Sequence, residues 1–155
     1  MSSKSRKKVI QTLAVNHRYF IRAPPQKVFT AISTSKGLTT WLANVARIEP
    51  HKGGKYALGW TDGPTHTGIL LEFVPGKSIK FRWAWPGISL RSTVFGLSIA
   101  SKDGGSILTV VHSGIPRLAK WVELYGGSEW GWTYFAMNLK SVLETGKDLR
   151  SKYDG

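Results

Sequence analysis

The first hydrophobic pattern along the chain has a period of two and predicts a β-strand. Residues 12–22 are rich in β-branched and aromatic side chains, and Leu13, Val15 and Tyr19 alternate with more polar neighbours. A strand with this alternation buries one face and exposes the other. Pro24 follows, and because proline has no N–H to donate to a neighbouring strand, we expect the strand to end before it.

Two short helices are predicted after this strand. Pro25 suits the first turn of a helix, where its missing N–H and fixed φ cost nothing, so the first helix is expected over residues 25–33. Ser35 is expected to cap the second helix, because a hydroxyl at the cap accepts a bond from a backbone N–H of the first turn. Their apolar faces consist of Val28, Phe29 and Ile32 in the first helix and of Leu38, Trp41 and Leu42 in the second.

Turns rich in glycine and proline then separate a series of extended segments. Tight turns need a positive or a fixed φ, which these two residue types supply. Connections this short join neighbouring antiparallel strands, since parallel strands need a long crossover. The pattern predicts six further strands, at about residues 44–49, 54–60, 65–74, 78–85, 90–101 and 106–112.

Three of these strands are predicted to have one apolar face. In residues 79–85 the odd positions are apolar, while Lys80 and Arg82 occupy even positions. The odd positions are therefore expected to point into a dry interior, and the neighbouring strands have similar stripes. The inward set is predicted to be Ile79, Phe81, Trp83 and Trp85, with Ile69, Leu71 and Phe73 and with Phe95, Leu97 and Ile99.

The hydrophobic period changes to that of a helix near the end of the chain. Apolar residues recur at intervals of three and four from Trp132 to Leu143, which predicts a long amphipathic helix over residues 128–145, ended by Gly146. Residues 118–125 could form one or two helical turns capped by Gly126 and Gly127. The order of elements predicts an α+β fold, in which the last helix covers one face of an antiparallel sheet.

Composition is that of one ordinary globular domain. The 155 residues are 41% apolar and 12% aromatic, so residues 9–155 are expected to form one domain with its own core. No apolar run approaches the about 20 residues that cross a bilayer, and no secretory signal begins the chain, so a cytoplasmic location is expected. Residues 1–8 are basic and polar, and we expect a disordered tail that is either a solvated terminus or a weak contact with anionic surfaces.

Catalytic, metal-binding and nucleotide-binding patterns are missing from the sequence. With no cysteine, thiolate nucleophiles, disulfides and sulfur-ligated zinc are excluded. His17, His51 and His66 lie on separate segments without metal-ligand spacing, the nine Asp and Glu residues form no evident acid–base pair, and the glycine runs do not match phosphate-binding loops. We therefore expect no catalytic residue, no metal and no cofactor.

His112 is the candidate polar residue of the interior. It follows Leu108 and Val110 at alternating positions, so its imidazole is expected to point inward. There it could hydrogen-bond a ligand or act as an acid or base, or it could be a core histidine whose bonds are satisfied within the protein. Both interpretations stay open at this point.

Several sequence motifs together resemble one protein family. They are residues 23–29 (APPQKVF), Trp41, Gly53-Gly54, Gly68, Ser92, residues 112–114 (HSG) and, most specifically, Trp130-Gly131-Trp132 followed by residues 138–146 (NLKSVLETG). Over residues 12–150 the chain resembles the START-like and pollen-allergen-like helix-grip superfamily (SRPBCC), and within it the branch of activator of heat-shock protein 90 ATPase homologues. This resemblance implies about seven strands gripping the last helix around a cavity.

The expected cavity suggests a binding function, although the same aromatic residues could simply fill a core. The predicted lining is Trp41, Leu71, Phe73, Phe81, Trp83, Trp85, Phe95, Leu97, His112, Trp132 and Phe135. We favour non-catalytic binding of a hydrophobic or aromatic small molecule, oriented by residues such as His112, Arg91 or Tyr134.

Other partners are also compatible with the sequence. The net charge of +13 suits a co-chaperone-like domain that binds an acidic protein, which is the first alternative. A cavity enzyme of cyclase or hydrolase type is the second, and nucleic-acid binding ranks last because net charge is its only support. The chain is expected to be a monomer or a homodimer.

Overall fold

Seven antiparallel strands form one curved sheet in this structure, a computed structural model that describes residues 11–61, 63, 65–84 and 92–150. The strand order across the sheet is β1-β7-β6-β5-β4-β3-β2. The strands are β1 (Thr12–Ile21), β2 (Val45–Ile48), β3 (Lys55–Gly59), β4 (Thr65–Val74), β5 (Ser78–Trp83), β6 (Thr93–Lys102) and β7 (Gly105–Pro116). The helices are α1 (Pro25–Ser33), α2 (Ser35–Thr39) and α3 (Val122–Thr145), with a 3-10 turn at Ala119–Trp121.

This arrangement confirms the predicted α+β helix-grip fold. The long helix α3 packs against β1 and β7, and two short helices follow β1. One detail of the second helix was predicted wrongly, because Thr34 and not Ser35 is its cap: the Thr34 hydroxyl accepts from the Gly37 N–H at 2.9 Å. The Ser35 hydroxyl instead accepts from the backbone N–H of Ile48 at 3.2 Å, which ties α2 to β2.

Helix α3 is longer at its start than the sequence predicts. It begins at Val122 and runs through Gly126 and Gly127, so the predicted cap at these two glycines is wrong. A glycine cap needs a positive φ, and neither residue has one, whereas Gly146 has φ 75° and ends the helix as predicted. Trp121, 1% exposed, anchors the chain just before the helix begins.

The inward stripes of β5 and β6 are confirmed within the described residues. Ile79, Phe81 and Trp83 of β5 are buried, while Lys80 and Arg82 between them are exposed. The odd positions of β6 face the same interior, because each pairs directly with a buried residue of β5 or β7. These positions of β6 are Phe95, Leu97 and Ile99. Their buried partners in β7 are His112, Val110 and Leu108.

A β-bulge makes the predicted stripe of β4 partly wrong. Leu70 pairs with Phe81, and the register then shifts so that Phe73 pairs with Ile79. Leu71 is the extra residue of this bulge and is only half-buried, whereas Leu70 is fully buried. Before the bulge the even positions face inward, and after it Phe73 does.

Ile69 was also assigned to the wrong face. It pairs with the exposed Lys55, while its even-numbered neighbours His66 and Gly68 pair with the buried Leu58 and Tyr56. Because directly paired residues share a face of the sheet, Ile69 belongs to the outer surface. Strict alternation cannot reveal a bulge, since an inserted residue changes the phase of the pattern.

Some predictions fall on parts of the chain that the structure does not describe. The basic tail at residues 1–8, together with Trp85 and Arg91, lies outside the described residues. None of the helices in the described ranges is long and apolar enough to span a membrane.

Candidate functional site

Aromatic rings from α3 meet those on the inner face of the sheet, where the odd positions of β5 and β6 are buried. The Phe95 and Trp132 rings are stacked, with 3.7 Å between centroids and 6° between planes. Trp83 packs edge-on against Trp132 at 5.3 Å, and Phe81 stacks on Phe95 at 5.7 Å. These four side chains are nearly inaccessible to solvent and fill the space between strand and helix with their own rings.

His112 links the same strands and helix through a chain of hydrogen bonds. The Trp132 indole N–H donates to His112 Nδ1 at 2.8 Å, and His112 Nε2 lies 2.6 Å from the Thr93 hydroxyl oxygen. An indole nitrogen can only donate, so Nδ1 must be the acceptor and Nε2 carries the proton of the neutral ring. Thr93 in turn donates to the carbonyl of Trp83 at 3.2 Å, which gives every bond in the chain one direction.

This geometry holds His112 neutral. Burial is the main reason that the pKa of His112 is lowered to about 4, and charge repulsion from the nearby His66 contributes to the same shift. Protonating Nδ1 would place an N–H against the Trp132 N–H. Because both ring nitrogens are engaged within the protein, the arrangement matches a satisfied core histidine and not a free acid or base.

His66 is the second buried histidine, and sequence reasoning missed it. It is 9% exposed and lies on the inner face of β4, with its ring stacked on Trp83 at 4.4 Å between centroids. The Trp60 ring meets it edge-on at 5.6 Å. His66 Nδ1 is 3.1 Å from the Ala84 carbonyl oxygen, so Nδ1 is the donor. Burial lowers the pKa of His66, although the bond to Ala84 offsets part of the effect.

From this buried group, aromatic rings continue to an exposed edge. Trp60 is half-buried, donates its indole N–H to the Leu42 carbonyl at 2.8 Å, and has its ring centroid 6.3 Å from that of Phe135 of α3. Phe135 meets Tyr134 edge-on at 5.2 Å. Tyr134 stacks on Trp130, which is 70% exposed. The aromatic side chains are therefore accessible at this end.

Tyr56 closes the wall of the site on the β3 side. Its ring stacks on Trp83 at 6.4 Å and meets Phe81 edge-on at 5.0 Å. Its hydroxyl donates to the Arg82 carbonyl at 2.5 Å, so the ring crosses directly over Gly68 of β4. Burial raises the pKa of Tyr56, which keeps the phenol neutral.

The structure brings only part of the predicted site together. Phe81, Trp83, Phe95, His112 and Trp132 form one ring network, with Leu97 buried in the same core and Phe135 at the edge. Phe73 instead pairs with Phe29 of α1 at 5.7 Å, towards the other end of β4. Trp41 donates its indole N–H to the Ala31 carbonyl at 2.9 Å and is a core residue beneath α1. Leu71 lies at the bulge.

One histidine–carboxylate pair also escaped sequence analysis. His17 of β1 lies 2.7 Å from Glu129 of α3, and Tyr125 donates to the other carboxylate oxygen of Glu129 at 3.1 Å. Tyr19 lies 3.0 Å from the second ring nitrogen of His17. The pair joins positions 112 residues apart, which no spacing motif reveals. Both side chains are partly exposed, and all four groups clamp α3 onto the edge strand.

Within the described ranges, no three His, Asp or Glu side chains come close enough to hold a metal ion. The residues described above for the buried site are aromatic rings and two histidines whose pKa values burial lowers.

One protein family matches most of the chain. The family described as "Activator of Hsp90 ATPase homolog 1-like protein" matches residues 22–144. Among curated protein sequences, none gives a significant match.

Solved structures match the fold over nearly its whole length. The Aha1 dimer from Colwellia psychrerythraea is 22% identical, covers 87% of this chain and 98% of its own, and has a TM-score of 0.73. A Mesorhizobium loti protein is 20% identical over 88% and 99% of the two chains, with a TM-score of 0.75. An AHSA1-like protein from Rhizobium etli is 24% identical over 94% and 90%, with a TM-score of 0.71. At these identities the likeness establishes the fold alone.

Proposed function

The chain belongs to the activator of Hsp90 ATPase homolog 1-like family, and from this premise we propose that it binds a small aromatic or hydrophobic molecule between the curved sheet and α3, without catalysis. The observation that supports this is the run of aromatic rings from the buried core out to the accessible edge at Trp60 and Phe135. An apolar molecule that contacts these rings would gain free energy mainly by removing its own surface from water.

The proposed site lies at the His66 end of β4. At this end the His66 ring contacts the rings of Trp83 and Trp60, and Trp60 in turn contacts Phe135 of α3. At the other end of β4, Phe73 contacts the ring of Phe29. His66 and Phe73 are seven positions apart on one strand, which separates the two ends by about 20 Å. One small ligand cannot contact both, so the two ends are distinguishable by mutation.

The state of His112 supports binding over catalysis. A general base needs a lone pair that can reach a substrate proton, and both nitrogens of His112 are engaged in hydrogen bonds within the protein. The cyclase or hydrolase alternative would require a different group from the chain to act on the bound molecule.

A titration with indole tests the location and the function together. Chemical shifts of the ¹⁵N-labelled protein are followed as indole is added to the wild type, to Phe135→Ala and to Phe73→Ala. Both phenylalanines are half-buried and packed against the same core, so the variants are matched in the volume they remove. We expect Phe135→Ala to weaken indole binding about tenfold, as loss of an aromatic contact does, and Phe73→Ala to leave it unchanged.

Three results would contradict this proposal. Indole could fail to shift any resonance of residues around Trp60 and Phe135, it could shift resonances near Phe29 instead, or the two variants could weaken it equally. The natural ligand is sought by native mass spectrometry of protein purified from its host. A retained compound that is recovered chemically altered after incubation would support the enzyme alternative.

A second candidate function is supported by the outer face of the sheet. Arg47, Lys55, Lys80 and Arg82 are all exposed there, on β2, β3 and β5. These three strands contain no Asp or Glu, and Glu72 of the neighbouring strand β4 lies 4.0 Å from Lys80. Such a surface suits an acidic protein partner, and the neighbouring structures include one named for Aha1.

Charge reversal tests this second candidate. The ATPase rate of the host's Hsp90-type chaperone is measured with wild-type protein, with Arg47→Glu/Arg82→Glu and with a control, Lys36→Glu/Lys102→Glu, that makes the same charge change elsewhere. Stimulation by wild type and control, but not by the outer-face variant, would support co-chaperone action. No stimulation by any of the three would exclude it for this chaperone.

A further inference from the structure

His66 has a hydrogen-bonding arrangement unlike that of His112. His66 Nδ1 donates to the Ala84 carbonyl, so in the neutral ring Nε2 has a lone pair and no proton. Within the described part of the chain no donor lies within hydrogen-bonding distance of this nitrogen, whereas both nitrogens of His112 have partners. His66 is nevertheless a buried residue, 9% exposed.

A buried acceptor without a donor is rare in native proteins. Most buried polar side-chain atoms have at least one hydrogen-bond partner, because desolvating an unpaired acceptor is unfavourable. A molecule that brings a donor to Nε2 therefore gains a hydrogen bond without first displacing one inside the protein. This makes the nitrogen a selective feature in an otherwise apolar environment.

The surroundings of His66 define the shape of that molecule. One side of the imidazole is stacked on Trp83 at 4.4 Å, and Trp60 meets it edge-on at 5.6 Å, so the neighbouring walls are flat rings. A planar aromatic ligand packs against such walls in stacked or edge-on contacts. The donor must then lie at the ring edge, since Nε2 is itself at the edge of a ring.

Charge further narrows the ligand class. The chain has a net charge of +13, which repels cations, and an ammonium donor would also lose its hydration on entering the aromatic region. A neutral hydroxyl or ring N–H meets neither penalty. Burial also lowers the pKa of His66, so the ring is neutral and able to accept at physiological pH.

We infer that His66 is the polar anchor of the proposed small-molecule site, where its Nε2 accepts a hydrogen bond from a neutral hydroxyl or N–H group at the edge of an aromatic ligand. This inference rests on the proposed binding function and deepens it, because it names the group on the ligand that is recognised.

Indole and benzofuran provide a matched pair of probes, nearly identical in shape, of which only indole has an N–H donor. In chemical-shift titrations of the wild-type protein we expect indole to bind about tenfold more tightly, the factor that one hydrogen bond to a buried acceptor provides. His66→Phe keeps an aromatic ring beside Trp83 and removes the acceptor. This variant should bind indole only as tightly as it binds benzofuran, and its affinity for benzofuran should equal that of the wild type. His51→Phe, at an exposed histidine, should alter neither.

Failure of this inference is distinguishable from failure of the proposed function. Equal binding of both probes to the wild type, or a preference for indole that survives in His66→Phe, would overturn the role of His66 and leave aromatic binding intact. Binding of neither probe would contradict both proposals.

A second measurement does not depend on the variant folding. Long-range ¹H–¹⁵N spectra of the wild-type protein report the Nε2 resonance of His66 directly. Indole at saturation should move this resonance towards that of a hydrogen-bonded nitrogen, and benzofuran should not. An unchanged resonance, or the same change with both probes, would mean that the indole N–H does not donate to Nε2. The inference would then be wrong.

Discussion

Trp132 of α3 donates its indole N–H to Nδ1 of His112 in β7 over 2.8 Å, and this bond fixes the protonation of the buried imidazole. Because indole cannot accept a hydrogen bond, the proton of His112 must lie on Nε2, towards Thr93. The helix thus determines which tautomer the sheet contains. The packing of α3 on the sheet and the protonation of His112 are therefore coupled through this bond.

The first prediction concerns loss of that donor. Trp132→Phe keeps a ring against Phe95 but leaves the buried Nδ1 of His112 unpaired, so we expect it to lower the free energy of unfolding by at least about 2 kcal/mol. Trp130→Phe, at the exposed tryptophan of the same helix, should change it by less than about 0.5 kcal/mol. Urea unfolding of both variants measures this. Equal effects would mean that the bond to His112 contributes nothing.

The second prediction is a loss of stability in mild acid. The pKa of His112 is about 4 in the folded protein against 6.5 in an unfolded chain, so the unfolded state binds more protons between these values. The stabilising contribution is fully present above pH 6.5, falls as the pH is lowered, and is lost by about pH 4. It amounts to about 3 kcal/mol, and the lowered pKa of His66 acts in the same direction.

Urea unfolding at a series of pH values checks this second prediction. In the upper part of the window the carboxylates do not titrate, so the slope reports histidines. His66→Phe should keep most of the slope, because His112 remains. A free energy of unfolding that is constant from pH 7 to 5 would contradict the buried, neutral state of His112.

Much of the fold could be predicted from sequence because its determinants are local. The alternation in β5 places Phe81 and Trp83 correctly, since a regular strand reverses its face at every residue. The same argument is wrong for β4, because the bulge at Leu71 changes which positions face inward. The bulge depends on the pairing of β4 with β5, which the local sequence pattern does not contain. Helix α3 likewise extends through Gly126 and Gly127, although intrinsic propensity favours an end there.

The candidate site was less predictable because it depends on long-range contacts. In the sequence His66 is one of several scattered histidines, and only its stacking on Trp83, a long-range contact, identifies it as part of the site. Before the bulge, the inward positions of β4 are the even ones, His66, Gly68 and Leu70. Their hydrophobic pattern in the sequence is weak, because the glycine among them has no side chain. His112 was identified correctly as an inward residue, but only the contact with Trp132 distinguishes a satisfied core histidine from a reactive one.

The third prediction concerns the close approach at Gly68. A methyl group there would lie 2.7 Å from the Arg82 carbonyl oxygen and 3.0 Å from the Tyr56 ring, so Gly68→Ala must displace the wall of the site. We expect a loss of about 2 kcal/mol in the free energy of unfolding. Gly96→Ala, also within a strand, meets nothing closer than 3.5 Å and should be neutral or slightly stabilising. Similar losses in both variants would indicate a general intolerance of alanine in strands.

The last prediction concerns Asn138, a fully buried residue of α3 that fixes the segment after the helix. Its side-chain N–H groups donate to the Trp41 carbonyl and to Asp148, each at 3.0 Å, and its oxygen accepts from the Leu149 N–H at 2.6 Å. Asn138→Leu conserves the volume but leaves the Trp41 carbonyl and the Leu149 N–H without this partner. We expect a loss of about 3 kcal/mol in the free energy of unfolding, since several buried polar groups lose their bonds together.

Hydrogen exchange distinguishes this local role from general destabilisation. In Asn138→Leu the Leu149 amide should lose its protection under conditions where amides of β6 and β7 keep theirs, because opening of the segment no longer requires global unfolding. Asn16→Leu, an exposed asparagine of β1, is the matched control and should leave both sets protected. If Leu149 remained as protected as the strands in Asn138→Leu, the segment would be held by Arg150, which donates to the carbonyls of Thr39 and Ala43, and not by Asn138.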